Sequence, residues 1–279
     1  MAIDADAQGA AIEAQFLAAM ARGATVVETS AFRVHLWPSS DPFYRNVAVP
    51  IRRPADWRSA IDEMRAAFAA AGRSPRLEFL EPRWPDLAAA LDDAGLSPEM
   101  PQTVMVCTRR PRAAPDPAIQ ILASTDGSPT VAAAYLRAVQ EAFEQPFDAA
   151  VLAREAARLA DDIRTGDCVV AAIADDTGGF VSGASLIGVC APCDAVGTVA
   201  ELAGVWTAAA WRGRGLASRA VSALVDRLLR AGDGLVWLSA ENARTAALYA
   251  RQGFAPIGRQ HTYVGIVSHR SDEPSASAA

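Results

Sequence analysis

The stretch from Glu201 to Phe254 leaves little freedom in its local structure. Leu202 to Thr207 is an apolar run that reads as a strand. Trp211-Arg212-Gly213-Arg214-Gly215-Leu216-Ala217-Ser218 follows it. Then Leu216, Ala220, Val221, Leu224, Val225, Leu228 and Leu229 recur at helical spacing. The glycines therefore fall where a strand turns into a helix. A helix start exposes unpaired N–H groups and the positive end of the helix dipole. Glycines there let a ligand approach the backbone closely. The combination points to a phosphate or pyrophosphate site, with Arg212 and Arg214 adding positive charge beside it.

The common nucleotide motifs do not fit. No Gly-Lys-Ser/Thr end follows, and the third glycine of the dinucleotide fingerprint is missing. Downstream, Leu235-Val236-Trp237-Leu238 reads as a buried strand. Asn242 then opens a helix from Ala243 to Arg251, which stops at Gly253-Phe254.

Arg212, Gly215 and Ala217 fill Arg/Gln-x-x-Gly-x-Gly/Ala, which resembles the acetyl-coenzyme A motif of the GNAT acyltransferase superfamily. Asn242, Tyr249 and Gly253-Phe254 match that family's next signature in order and spacing. The resemblance covers about residues 118–267. It departs at Ala208, Ala209 and Ala210, where the family often has a proline and a charged residue, and at Thr245, where alanine is usual. It implies an α+β fold with a mixed central β-sheet flanked by helices.

Composition limits the partners. The 279-residue chain is 51% hydrophobic, enough for two modest domains, with a formal net charge of −6. A net acidic chain argues against nucleic acid and anionic membranes and is compatible with cationic amines. No apolar run approaches a membrane span, and the acidic N-terminus lacks a signal-peptide pattern. A cytoplasmic protein, monomeric or homodimeric, is expected. Cys190-Ala191-Pro192-Cys193 has no second pair at zinc spacing and reads as a loop with incidental thiols. His35, His261 and His269 are scattered, so no metal is assigned.

In chain order, Asp6–Arg22 reads as a helix with Ile12, Phe16, Leu17 and Met20 on one face. Strands are expected at Ala24–Glu28, Phe32–Trp37, Val47–Ile51, Leu77–Leu80 and Thr103–Cys107, and helices at Pro54–Ala71 and Trp84–Ala94. Placing Gly95-Leu96 on Gly253-Phe254 puts Leu77–Leu80 on Leu235–Leu238 and Val104–Val106 on Thr262–Val264. The pairing resembles tandem GNAT proteins, two GNAT-like halves of which the first is degenerate. Leu91 stands where Tyr249 stands, Trp84 where Asn242 stands, and no Arg-x-x-Gly-x-Gly/Ala occurs near Arg53–Ser59. The division expected is a degenerate N-terminal domain over 1–110, a proline- and arginine-rich linker over 111–117, a catalytic domain over 118–270 and a disordered tail over 271–279. Within the catalytic domain, a strand is expected at Ile119–Leu122 and helices at Thr130–Glu144 and Ala149–Thr165. A hairpin of Val169–Ala174 and Phe180–Val189 leads into a loop from Cys190 to Gly197. Two short strands, Ile257–Arg259 and Thr262–Val267, close the domain.

The resemblance implies an acetyl-coenzyme A-dependent N-acetyltransferase with direct transfer to a primary amine, expected to be that of a small molecule. Backbone groups of Gly213, Arg214, Gly215, Leu216, Ala217 and Ser218 would hold the pyrophosphate. Val205, Trp206 and Thr207 would lie along the pantetheine arm, and Asn242 would touch it or cap its helix. Tyr249 matches the family's proton donor to the leaving thiolate. Glu201 is the candidate base, with Glu241 as an alternative. Phe143 and Phe147, at the bend between two helices, would line the acceptor pocket or pack between those helices. Two rival readings are a non-catalytic acyl-coenzyme A sensor and a protein or peptide N-acetyltransferase.

Overall fold

In a computed structural model, the structure describes residues 4–38, 43–110, 116–145, 148–193, 196–230, 232 and 234–265. The first half contains α1 (Ala5–Ala21), β1 (Thr25–Glu28), β2 (Phe32–Leu36), β3 (Val47–Pro50), α2 (Trp57–Ala70), β4 (Arg76–Leu80), α3 (Leu87–Asp93), β5 (Ser97–Pro98) and β6 (Gln102–Cys107). The second contains β7 (Ile119–Leu122), α4 (Pro129–Ala142), α5 (Ala149–Thr165), β8 (Cys168–Ala174), β9 (Phe180–Cys193), β10 (Gly197–Thr207), α6 (Leu216–Arg230), β11 (Gly234–Ala240), α7 (Ala243–Ala250) and β12 (Ala255–Val264). The α+β class expected from the sequence is what the structure shows.

The chain divides into two compact units, Met1–Ala19 with Gln102–Gln260, and Met20–Pro101 with His261–Ala279. They cut across the division expected at the linker. β6 comes from the first half of the sequence but pairs with β11 and the first part of β12. The end of β12 pairs with β5. Residues 111–115 of the linker and the tail from 271 lie outside the described residues. The linker's flanks are each tied to α6, by Arg110 to Asp226 at 2.7 Å and by Asp116 to Arg219.

The larger unit is a mixed sheet in the order β12-β6-β11-β10-β9-β8-β7. β10 and β11 are its parallel pair, and their neighbours run antiparallel. Alternation along β8 shows the two faces. Ala171 packs with Ala220, Leu224 and Val225 of α6, whereas Val170 and Ala172 pack with Tyr135 of α4 and Ile163 of α5. The apolar stripe of α6 is the one read from the sequence, and all seven of its residues are buried.

Three expectations are corrected. The loop placed from Cys190 is strand, because β9 runs to Cys193 opposite the start of β10; the side chains of Cys190 and Cys193 are outside the described residues. The two closing strands are one, β12, in which an extra residue between Pro256 and Gly258 is absorbed as a bulge. On α1, Ile12 is buried as expected, but Phe16, Leu17 and Met20 are only half-buried, and the polar Gln15 is fully buried. Gln15 is satisfied there. Its amide donates to the Gly188 carbonyl at 2.9 Å and accepts from Trp237 Nε1 at 2.9 Å.

The smaller unit has the same local order around a parallel pair: β3, α2, β4, α3 as against β10, α6, β11, α7. Ile61, Met64 and Phe68 of α2 pack with Leu77, Leu87 and Leu91. The start of α2 differs from that of α6. Asp56 accepts from the N–H groups of Arg58 and Ser59 and from the Ser59 hydroxyl at 2.6 Å; the hydroxyl bond first, then the Ser59 N–H, hold its carboxyl below the usual carboxylate range. The protein's own carboxylate thus fills the position an anionic ligand would need.

Gln15→Leu is expected to strand the indole N–H of Trp237 and lower the unfolding free energy by about 1–3 kcal/mol, measured by denaturant titration. A change indistinguishable from zero would show that the bond contributes nothing net.

Candidate active site

The site is built where two strands part. β10 pairs with β11 from Thr198↔Gly234 to Glu201↔Trp237, and the register goes no further. Beyond that rung β11 stays with β6 as far as Ala240↔Thr103. β10 stays with β9 through a register shift between Ala203 and Trp206. The extra residue there is a bulge at Gly204-Val205, which turns the strand more strongly than a regular ladder does. The unpaired edge of β10 past Glu201 therefore faces a wedge.

β10 is held on its outer side by a polar cluster. Ser182 Oγ donates to the Trp206 carbonyl at 2.8 Å and lies 2.9 Å from Thr207 Oγ1. Trp206 Nε1 donates to the Tyr135 hydroxyl at 3.1 Å, with the two rings edge to face at 5.7 Å. Burial pushes the Tyr135 phenol up to about 12, against the opposing pull of its bonds with Ser185 and Trp206. Sequence reasoning missed Tyr135 and Ser182, because each gains meaning only from a partner far along the chain.

A cleft of about 320 Å³ opens on the wedge. Val205, Trp206 and Thr207 line one side, and Arg212, Ala217 and Ser218 line the loop and the first turn of α6. Thr245, Leu248, Tyr249 and Gln252 come from α7 and its end, and Ala142 and Phe143 from the end of α4. No carboxylate lines it among the described residues. The structure thus brings together Tyr249, Phe143, the β10 residues and part of the glycine loop. Thr245, Leu248 and Gln252 were not singled out as site residues. Their spacing with Tyr249 on one helix face was the available signal.

Gly213 and Gly215 have φ of +77° and +72°, a region side chains disfavour, and a Cβ on either would meet nothing within 4 Å. The loop thus exposes backbone to open space at the start of α6, where the N–H groups of Leu216, Ala217 and Ser218 have no partner within the helix. This fits a phosphate group. The Leu216 side chain points elsewhere, into a cluster with Ile173 and Val181. The arginines were expected to add charge beside the phosphate. Arg212 instead donates to the carbonyls of Thr207 and Ala142, each at 3.1 Å. Arg214 is exposed, and its guanidinium lies 4.7 Å from the Trp211 ring.

Asn242 caps α7, its Oδ1 accepting from the Thr245 N–H at 3.0 Å. At the other end, the Phe254 N–H returns to the Tyr249 carbonyl at 3.2 Å, and Phe254 packs edge-on beneath Tyr249 at 5.7 Å. Gly253-Phe254 thereby fixes the helix turn that carries Tyr249. Burial raises the Tyr249 phenol above its ordinary value. Glu201 sits on the last shared rung and is not among the lining residues; it alternates with Ala200 and Leu202, which face α6. Glu241 is exposed just before α7. Phe147 and His269 lie outside the described residues. Among the described residues no His, Cys, Asp and Glu group suits a metal, and no helix is long and apolar enough to cross a membrane.

Comparison with known proteins adds the following. Residues 133–254 match the model of the acetyltransferase (GNAT) family. No curated protein matches the chain. Among solved structures, it is similar to a GCN5-related N-acetyltransferase from Kribbella flavida, with a TM-score of 0.69, 19% identity, and 95% of this chain and 98% of that one covered. A tandem GNAT protein from the clavulanic acid biosynthesis pathway gives 0.61 and 17%, covering 94% and 96%. A conserved protein of unknown function from Staphylococcus epidermidis gives 0.58 and 17%, covering 88% and 94%. At these identities the likeness shows the fold.

The Tyr135 phenol ionises near 10 in the unfolded chain and near 12 when folded. Its contribution to stability is therefore complete below pH 10 and lost as pH rises towards 12. Tyr135→Phe should flatten the fall of unfolding free energy across that window by up to about 1.4 kcal/mol per pH unit. Equal slopes for the two proteins would show that Tyr135 is not held neutral by burial.

Proposed function

We propose that this chain, whose residues 133–254 match the model of the acetyltransferase (GNAT) family, uses acetyl-coenzyme A to N-acetylate a primary amine of a small molecule. The family match itself supports acetyl transfer from an acyl-coenzyme A. The observation that carries the reading is the parting of β10 from β11 beside the exposed glycine loop. One unpaired strand edge and one helix start are thus directed at the same cleft.

The residues present suit the cofactor. The N–H groups from Gly213 to Ser218 would hold its pyrophosphate, and the β10 edge at Val205, Trp206 and Thr207 would pair with its amide-bearing arm. Bound acetyl-coenzyme A supplies the activated acyl group, with a thiolate as leaving group. Tyr249 keeps its proton at neutral pH as any phenol does, and burial disfavours the phenolate further. Its hydroxyl is the proposed proton donor to that thiolate, and its place on the cleft wall favours catalysis over a binding-only module. Glu201, on the last rung β10 shares with β11 and outside the cleft lining, is proposed to take the amine proton through water. A small acceptor is favoured over a basic peptide tail because no carboxylate lines the cleft among the described residues.

Calorimetric titration with acetyl-coenzyme A tests the cofactor site. Wild type is expected to bind, Gly215→Ala to bind more weakly because of its positive φ, and Gly215→Glu to lose binding through a carboxylate where the pyrophosphate lies. Equal binding by all three would overturn the site. Tyr249→Phe should lower kcat by about tenfold or more while cofactor affinity stays nearly unchanged; a large loss of affinity instead would remove its acid role. The chain contains no lysine, so self-acetylation on side chains cannot obscure a screen of amine acceptors.

A further inference from the structure

We propose that Arg212 is a positioning residue that fastens the wall of the cleft ending in Phe143 to the end of β10. The role deepens the acetyltransferase reading and rests on it for what the cleft holds. The last four carbonyls of a helix have no partner within it. In α4, Val139 accepts from the Phe143 N–H at 3.1 Å, Gln140 from the Gln145 N–H at 2.9 Å and Glu141 from the Glu144 N–H at 3.2 Å. The fourth carbonyl, that of Ala142, accepts from Arg212 Nη2 at 3.1 Å. The Nε of the same guanidinium donates to the carbonyl of Thr207, the last residue of β10, at 3.1 Å. A planar fork with several fixed donors can bridge two carbonyls in this way; an ammonium on a flexible stem holds them less well.

The turn that Arg212 holds is a strained one. Its bonds from Gln145 to Gln140 and from Glu144 to Glu141 form the helix ending in which the second-last residue is left-handed, usually a glycine. Here that residue is Glu144, with φ of +54°, and it is the one non-glycine residue at positive φ among the described residues. Its Cβ disfavours the conformation. The ending therefore depends on outside contacts, and the Arg212 bond supplies one at the carbonyl its own turn leaves over. Release of Glu144 would carry Phe143, half-exposed on the cleft wall, out of place. Arg212 also immediately precedes Gly213, so the tether and the proposed phosphate loop share one run of backbone. This arrangement gives the motif arginine a task other than facing a phosphate.

Hydrogen exchange followed by mass spectrometry tests the tether. In the free protein, Arg212→Gln should speed exchange at the amides of residues 143–145 by about tenfold, and Arg212→Lys by less. Arg212→Gln combined with Glu144→Gly should return towards the wild-type rate, because glycine removes the strain; loss of a merely structural contact would not be rescued this way. Acetyl-coenzyme A at saturation should slow these amides further in wild type and by less in Arg212→Gln. Unchanged exchange in Arg212→Gln, or acceleration spread equally over α5 and α6, would overturn the proposal. Failure of wild type to bind acetyl-coenzyme A would instead sink the acetyltransferase reading, while exchange in the free protein still decides the tether.

Discussion

The larger unit depends on a ladder that stops. β10 and β11 share only the rungs from Thr198 to Glu201, and each then follows a different neighbour. An unpaired strand edge inside a sheet is costly if buried and useful if a ligand can pair with it. The bulge at Gly204-Val205, the Ser182 and Thr207 hydroxyls and the Tyr135–Trp206 bond all keep β10 on the β9 side. α6 presents Ala217 and Ser218, and α7 presents Thr245, Leu248 and Tyr249, to the cleft that results.

The charges around this gap are more committed than the sequence suggests. Arg212 is spent on two carbonyls and Arg214 lies over Trp211. In the proposed phosphate site, attraction would then fall chiefly on backbone N–H groups and the dipole of α6, which act over short range and fix geometry as well as charge. The smaller unit makes the complementary point. It has a parallel pair and a helix between, but Asp56 already occupies the helix start. A similar element order therefore does not give the same helix start, because that of α2 is closed by its own cap.

Much of the site was legible because its requirements are local. A glycine loop at a strand-to-helix change, a seven-residue apolar stripe and the Asn242–Tyr249–Gly253-Phe254 spacing are set by helix period, caps and turns. The misreadings share a different cause. Gln15 was hidden within an alanine-rich helix because its partners, Gly188 and Trp237, lie far along the chain. The two closing strands were separated at Gln260-His261, two polar residues that β12 carries without a break.

The sequence by itself determined most of the elements, their order and the loop at the start of α6, since backbone conformation there follows from residue type and spacing. Only the tertiary structure decided where β10 leaves β11, which residues face the cleft and what the arginines hold. Those outcomes turn on which distant strand accepts each backbone group and which carbonyl a long side chain can reach. The path of β6 into the larger unit is of the same kind, because strand pairing across half the chain is chosen by the whole sheet and not by the strand's own residues.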